Sequence, residues 1–153
     1  MVQKEKKVTD YKNPGLNDAG GKDLKFISEN SVFLRLKNSD EKNSNGLEAA
    51  DIFRLAVSIA ISRDLKLPDN VGQTGRDETK RPNGMSWNQG TLDKPSSSEK
   101  SKNQLSLVDM VKTLCDDPLA QEAPWAYIQL LAHAGLKELA KDIKSKKMLS
   151  EII

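Results

Sequence analysis

The sequence has few of the residue types on which most catalytic and binding sites depend. Its 153 residues include one cysteine, Cys115, and one histidine, His133, and only 5% are aromatic. A single cysteine excludes an internal disulfide framework and is typical of a reducing compartment. One cysteine and one histidine cannot build a zinc site unaided, since such sites need several converging ligands. We therefore expect no metal site and no cofactor.

Long apolar runs are missing as well. No run reaches the roughly 18 residues that a membrane-spanning helix needs. The charged N-terminal sequence MVQKEKKVTDYK is not followed by the apolar core of a signal peptide. We expect a cytoplasmic protein that makes no membrane contact. The net charge of +2 permits nucleic-acid binding through a local patch but does not require it.

No set of side chains typical of catalysis is present. Cys115 lies on the apolar side of its predicted helix, which favours a buried and inert thiol. His133 comes shortly before Gly135, the predicted helix C-cap. A cationic side chain at that position stabilises the C-terminus of a helix, so a structural role is expected for His133. The DDP sequence at 116–118 is interpreted as a turn, and GQTG lacks the Gly-Lys-Ser/Thr of a phosphate-binding loop. We expect the chain not to be an enzyme.

The clearest positive signal is a predicted helix at 47–65 that is apolar on nearly every side. Such a helix is normally buried on most of its faces, so we expect it to be central to the fold or to meet another subunit. Asn45 and Glu48 have the spacing of a capping box at its start. Arg54 is expected to pair with Asp51 one turn earlier. The residues expected in the core or at an oligomer interface are Phe53, Val57, Ala60 and Ile61.

Shorter helical patterns complete an all-α prediction. Ser106 followed by Asp109 predicts the start of one helix. The stretch APWAYIQLLAHAG predicts another helix that ends at Gly135, with a final helix after it. Residues 28–37 fit either a short helix or a strand. The expected fold is a compact bundle of about four or five helices around the central apolar helix.

Changes in composition predict three segments along the chain. Residues 1–23 are expected to form a flexible N-terminal arm, residues 24–146 a single helical domain, and residues 147–153 a frayed or docked tail. Within the domain, residues 69–103 show no sustained helical or strand period and are predicted to be a long polar loop or insertion. The sequence leaves open whether this loop is ordered. The residues expected to tie its later half to the helices are Met85, Trp87 and Leu92.

The lysine and arginine side chains would allow the protein to bind a polyanion such as DNA. Phosphate contacts need lysine or arginine side chains on a shared surface, with small residues that allow close approach. The loop at 69–103 carries glycines beside its cations, although Asp77 and Glu78 dilute its charge. Trp87 fits either a base-stacking role or a packing anchor. The candidate nucleic-acid-binding residues are Lys25, Arg35, Lys37, Arg63, Lys66, Arg76, Lys80, Arg81 and Trp87, with Lys22 next to the first of them.

Several segments carry a resemblance to a known family. They are FISENSVFLRLK leading to GLEAADIFRLAVSIAIS, then NQGTLD after the central helix, then YIQLLAHAGLKELA, and they cover about residues 24–140. Together they resemble the DndE-type proteins of bacterial DNA phosphorothioate modification and their relatives in phage-defence operons. The resemblance implies a small helical homo-oligomer that binds DNA without cleaving it. This chain departs from that pattern in its long loop and its modest basic patch.

A ribbon-helix-helix repressor is a competing resemblance. In that interpretation SVFLRLKN is the ribbon and residues 47–65 form the second helix. The connection between them is too short and too polar for the missing first helix, which counts against this interpretation.

These observations lead to one expected function and one alternative. We expect a non-catalytic DNA-binding or accessory subunit of a bacterial DNA-modification or anti-phage defence system. Its expected partners are double-stranded DNA and proteins from the same operon. The alternative is a protein–protein adaptor or antitoxin-like partner of a larger enzyme, without direct DNA contact.

Overall fold

A computed structural model describes residues 10–30, 48–93 and 106–145. Every structural statement below refers to these residues. The sequence predictions that lie outside them are the cap at Asn45, the candidate nucleic-acid contacts Arg35 and Lys37, residues 31–37 of the stretch that fits a helix or a strand, residues 94–103 of the loop, and the tail at 147–153.

The described residues are mostly helical, as the sequence predicts, and also contain one two-stranded antiparallel sheet. Within the sheet, Gly15 pairs with Ser86 and Leu16 pairs with Met85. This small sheet is missing from the all-α prediction, because two residues per strand are too short to show an alternating pattern. The elements are β1 (Gly15–Leu16), α1 (Asp18–Asn30), α2 (Ala49–Ser62), β2 (Met85–Ser86), α3 (Gln89–Asp93), α4 (Leu107–Leu114), α5 (Pro118–Glu122) and α6 (Pro124–Lys144).

Helix α2 lies in the hydrophobic core, as its composition predicts. Phe53, Val57 and Ala60 are buried within the chain itself, and Ile61 is partly buried against the core. The helix begins after Glu48, whose side chain forms a reciprocal capping box with the third helical residue, Asp51. The core of a single chain therefore accounts for the apolar character of α2.

Helix α6 is one continuous helix of 21 residues. The predictions of a C-cap at Gly135 and of a separate final helix were therefore wrong. Gly135 is buried in the middle of α6 and faces the backbone of Ala56 in α2, where a Cβ atom would overlap with the carbonyl oxygen. The glycine serves a close helix–helix contact, which sequence spacing cannot distinguish from a helix end.

The structure differs from the predicted flexible arm at residues 10–23. The Asp10 carboxylate accepts hydrogen bonds from the first turn of α6, at the backbone N–H groups of Trp125 and Ala126. Further along, Gly15 and Leu16 are buried in β1, and α1 begins at Asp18 rather than near residue 24. This segment docks through polar and backbone contacts, which a hydropathy pattern does not record.

The described part of the predicted loop, residues 69–93, contains two short elements, β2 and α3. Leu92 is fully buried, and Met85 and Trp87 pack against the core from its edge. This confirms the prediction that these three residues tie the later half of the loop to the helices. No helix in the described ranges is long and apolar enough to cross a membrane.

Candidate nucleic-acid interface

The loop between α2 and β2 ends in a tight turn that displays Lys80. Asp77 and Arg81 form an isolated antiparallel bridge, with hydrogen bonds of 3.0 and 2.7 Å between their backbones. One Asp77 carboxylate oxygen accepts bonds from the hydroxyl and N–H of Thr79 and from the N–H of Lys80. The Thr79 hydroxyl is the main cause of a lowered pKa at Asp77. The turn therefore holds Glu78, Thr79 and Lys80 exposed at its tip.

Arg81 has a structural role within this loop. Its Nε donates to the carbonyl of Gly75 at 3.1 Å, and its Nη1 donates to the side-chain oxygen of Gln73 at 2.6 Å. The side chain is partly buried, unlike those of Arg76 and Lys80. The sequence predicts a nucleic-acid-binding role for all three, whereas in the structure the guanidinium of Arg81 cross-links the loop.

The loop is docked on the first half of α1 through Asn83. Its backbone N–H donates to the carboxylate of Asp18 at 2.9 Å, and this bond is the main cause of a lowered pKa at Asp18. The carbonyl of Asn83 lies against Gly21, where a Cβ atom would overlap with it. Lys25 donates from Nζ to the Asn83 side chain at 2.8 Å, and Lys22 pairs with Asp18 at 3.3 Å.

Docking places the lysines of α1 next to the loop that carries Arg76 and Lys80. We call this exposed region of α1 and the loop the α1–loop face. Its carboxylates at Asp18 and Asp77 are occupied by backbone N–H groups of the loop, which leaves the exposed Glu78 as an acidic group at the turn. The cations of the α1–loop face are Lys22, Lys25, Arg76 and Lys80, all exposed.

Trp87 packs as an anchor. Its ring meets Phe53 of α2 edge to face, with 5.4 Å between the ring centroids and an interplanar angle of 63°. Its backbone N–H donates to the carbonyl of Pro14 at 3.0 Å. Of the two roles that the sequence left open for Trp87, the structure supports packing rather than an exposed base-stacking platform.

The two remaining described candidates lie beside α6. Arg63 pairs with Asp142 at 2.8 Å and with Glu138 at 3.6 Å, so its charge serves the contact between α2 and α6. Lys66 is exposed and lines a groove together with Lys137 and Lys141 of α6. These last two lysines were not among the residues predicted from the sequence, because their only local signal is a polar position on the last helix.

Cys115 and His133 each have their own structural partners. His133 Nε2 accepts a bond from the N–H of Asn17 at 3.1 Å, and Nδ1 lies 2.6 Å from the carbonyl of Gln129. Burial is the main cause of a lowered pKa at His133. The Cys115 thiol lies close to Tyr127, and burial raises the pKa of the thiol. His133 thus lies in the middle of α6, not near a helix end as predicted, and connects the helix to the N-terminal segment.

The predicted pair of Arg54 and Asp51 is present on α2. Arg54 also donates from Nη1 to the carbonyl of Thr91 at 3.0 Å, which links α2 to α3. In the described part of the chain, no group of three or more histidine, cysteine or acidic side chains could hold a metal ion.

No family model, curated protein or solved structure matches this chain. The resemblance to DndE-type proteins therefore stays a prediction that rests on the quoted segments.

Proposed function

We propose that this protein is a non-catalytic, DNA-binding accessory subunit of a bacterial DNA-modification or anti-phage defence system, and that it contacts DNA through the α1–loop face. The observation that carries the DNA-binding part is the docking of the loop on α1 by Asn83. It holds the exposed Lys25 beside a turn that displays Lys80. The connection to DNA modification and defence comes from the family resemblance alone.

The chemistry of the α1–loop face suits a phosphate backbone better than base edges. Lysine side chains contact phosphates as point charges, and such contacts position a protein on DNA without selecting a sequence. Trp87, the aromatic residue that follows β2, is engaged with Phe53. We therefore expect binding that depends strongly on salt and little on sequence.

A salt series with duplex DNA tests this proposal. Binding of the unmodified protein is expected at micromolar concentration and should weaken as salt rises, because the lysines release counterions from the phosphates. The double variant Lys25→Gln/Lys80→Gln should bind more weakly to every sequence. Its plot of log affinity against log salt should be less steep by about 0.9 for each lost contact.

The matched control neutralises two lysines elsewhere on the surface, in the variant Lys12→Gln/Lys112→Gln. Both residues are exposed, so the change in net charge is the same without a change at the α1–loop face. This control should bind like the unmodified protein. Equal losses in both variants would indicate nonspecific attraction, and absence of salt-dependent binding would remove the DNA contact and favour the adaptor alternative.

A further inference from the structure

One side of α6 connects two surfaces of opposite charge. Tyr127, Ala134 and Lys141 are seven residues apart, which places them along the same side of a helix. All three are partly or fully exposed. Fourteen residues of helix span about 21 Å, so Tyr127 and Lys141 are separated by roughly that distance.

A groove with basic edges lies at the Lys141 end. It has a volume of about 490 Å³ and runs between the chain after α2 and the exposed side of α6. Leu65, Leu67 and Ala134 form its apolar part and pack against the hydrophobic core from the outside. Its charged members are the exposed lysines Lys66, Lys137 and Lys141, and Glu138, which pairs with Arg63.

An acidic corner with a protruding leucine lies at the Tyr127 end. Leu114, the last residue of α4, is 60% exposed although its side chain is large and apolar. Asp116 and Asp117 follow it and are exposed. Cys115, which lies between Leu114 and Asp116, is close to Tyr127 in the first turn of α6, so the corner is at that end of the helix.

We propose that this side of α6 is a self-complementary interface through which two copies of the chain form a twofold-symmetric dimer. A twofold axis near Ala134 places the acidic corner of each copy against the basic groove of the other. Leu114 then enters the apolar part of the partner copy's groove. This inference stands independently of DNA binding, because it uses none of the cations of the α1–loop face.

Charge and shape both favour a second copy as the occupant of the groove. Twofold dimers are the commonest oligomers and require one surface that complements itself, and a surface with opposite charges at its two ends meets that requirement. The charged edges set the orientation of the two copies, while the buried leucine supplies apolar contact. A nucleic acid would match the lysines of the groove but would be repelled by the corner.

Charge reversal at each end separately gives a decisive test. The first variant is Lys66→Glu/Lys141→Glu and the second is Asp116→Lys, which leaves the α5 cap at Asp117 in place. The molar mass of the full-length protein is measured by sedimentation, alone and in mixtures, at low salt. Each variant alone should be mainly monomeric, because the first sets glutamates against the acidic corner, and the second removes the net negative charge of the corner and sets a lysine against the basic groove. An equal mixture should form a dimer, because both contacts of the mixed pair join opposite charges.

The leucine is tested by Leu114→Asp, which is expected to weaken the dimer at least about tenfold. The matched control is Tyr11→Asp, which changes the other large apolar side chain exposed on the described surface and should leave the dimer intact. Circular dichroism confirms that each variant is folded. A monomeric unmodified protein at all concentrations, or a dimer that survives both charge reversals and Leu114→Asp, would overturn the proposal.

Discussion

Glycines set how closely the backbones of this protein approach one another. Gly135 allows α6 to meet the backbone of α2 at Ala56, and Gly21 allows the loop carbonyl of Asn83 to lie on α1. Both positions are buried. In each case a single Cβ atom would overlap with backbone, which cannot move aside as the end of a flexible side chain can.

Replacement of Gly135 by alanine should therefore destabilise the protein, although alanine is the better helix former. We expect a loss of about 1–3 kcal/mol in the free energy of unfolding, as for other overpacked sites, measured by chemical denaturation. The control is Gly90→Ala in α3, where the nearest atom to an added Cβ would be the Asn88 side-chain oxygen at 3.6 Å. This control should be neutral or slightly stabilising. Equal stability of the two variants would contradict the close contact of α2 and α6.

His133 should make folding depend on pH. Burial lowers the pKa of His133 in the folded protein, whereas a histidine in an unfolded chain titrates near 6.5. The unfolded chain therefore binds a proton more readily. The contribution of His133 to stability should be complete above about pH 6.5 and decline as the pH falls towards the lowered value.

Thermal unfolding between about pH 7.5 and 5 measures this effect. His133 is the only histidine in the sequence, so a His133→Gln variant should lose most of the dependence in that range. A variant whose midpoint falls with pH as steeply as that of the unmodified protein would show that other groups are responsible.

At the scale of elements, the N-terminal segment acts as a strap along α6. Its contacts run in one direction along the helix, from Asp10 at the first turn through Gly15 at Gln129 to Asn17 at His133. The bond from the Gly15 N–H to the Gln129 side chain is 2.6 Å and fully buried from solvent. Buried backbone groups need such partners, so Gln129 is required where an apolar residue would otherwise fit the core.

Replacement of Gln129 by methionine, which has a similar length, should release the strap from α6. The unpaired N–H of Gly15 is expected to cost about 1–3 kcal/mol of stability. Hydrogen exchange at Gly15 and Leu16 should become faster than in the unmodified protein. The control is Gln121→Met, because Gln121 is exposed and its bonds to backbone carbonyls lie on the surface. Unchanged exchange in the Gln129 variant would mean that β1 is held by its pairing with β2 alone.

On the scale of the whole molecule, the lysine and arginine residues that were predicted to bind DNA have different roles. Arg63 and Arg81 stabilise the fold, through α6 and through the loop respectively. Lys25 and Lys80 share the α1–loop face, while Lys66 belongs to the groove beside α6. The two proposed surfaces use different residues, so the DNA-binding and dimerisation experiments can succeed or fail independently.

Features that depend on near neighbours could be predicted from the sequence. The apolar composition of α2, the pair of Asp51 and Arg54, and the cap of Asp109 by Ser106 all involve residues at most a few positions apart. Helical periodicity and capping express such local physics directly. The helical class follows from the same kind of signal, whereas the anchoring of the loop by Leu92 was predicted from its apolar side chain in a polar stretch.

Roles that depend on distant partners could be assigned only from the packing of the folded chain. The sequence predicts a helix end at Gly135. In the structure Ala56, far away in sequence, occupies the space that a side chain at this position would need. Arg63 was a candidate for phosphate binding, yet its partner Asp142 comes from another helix. The sequence records which charges and small residues exist, but packing decides which of them are used inside the fold and which remain on the surface for a partner.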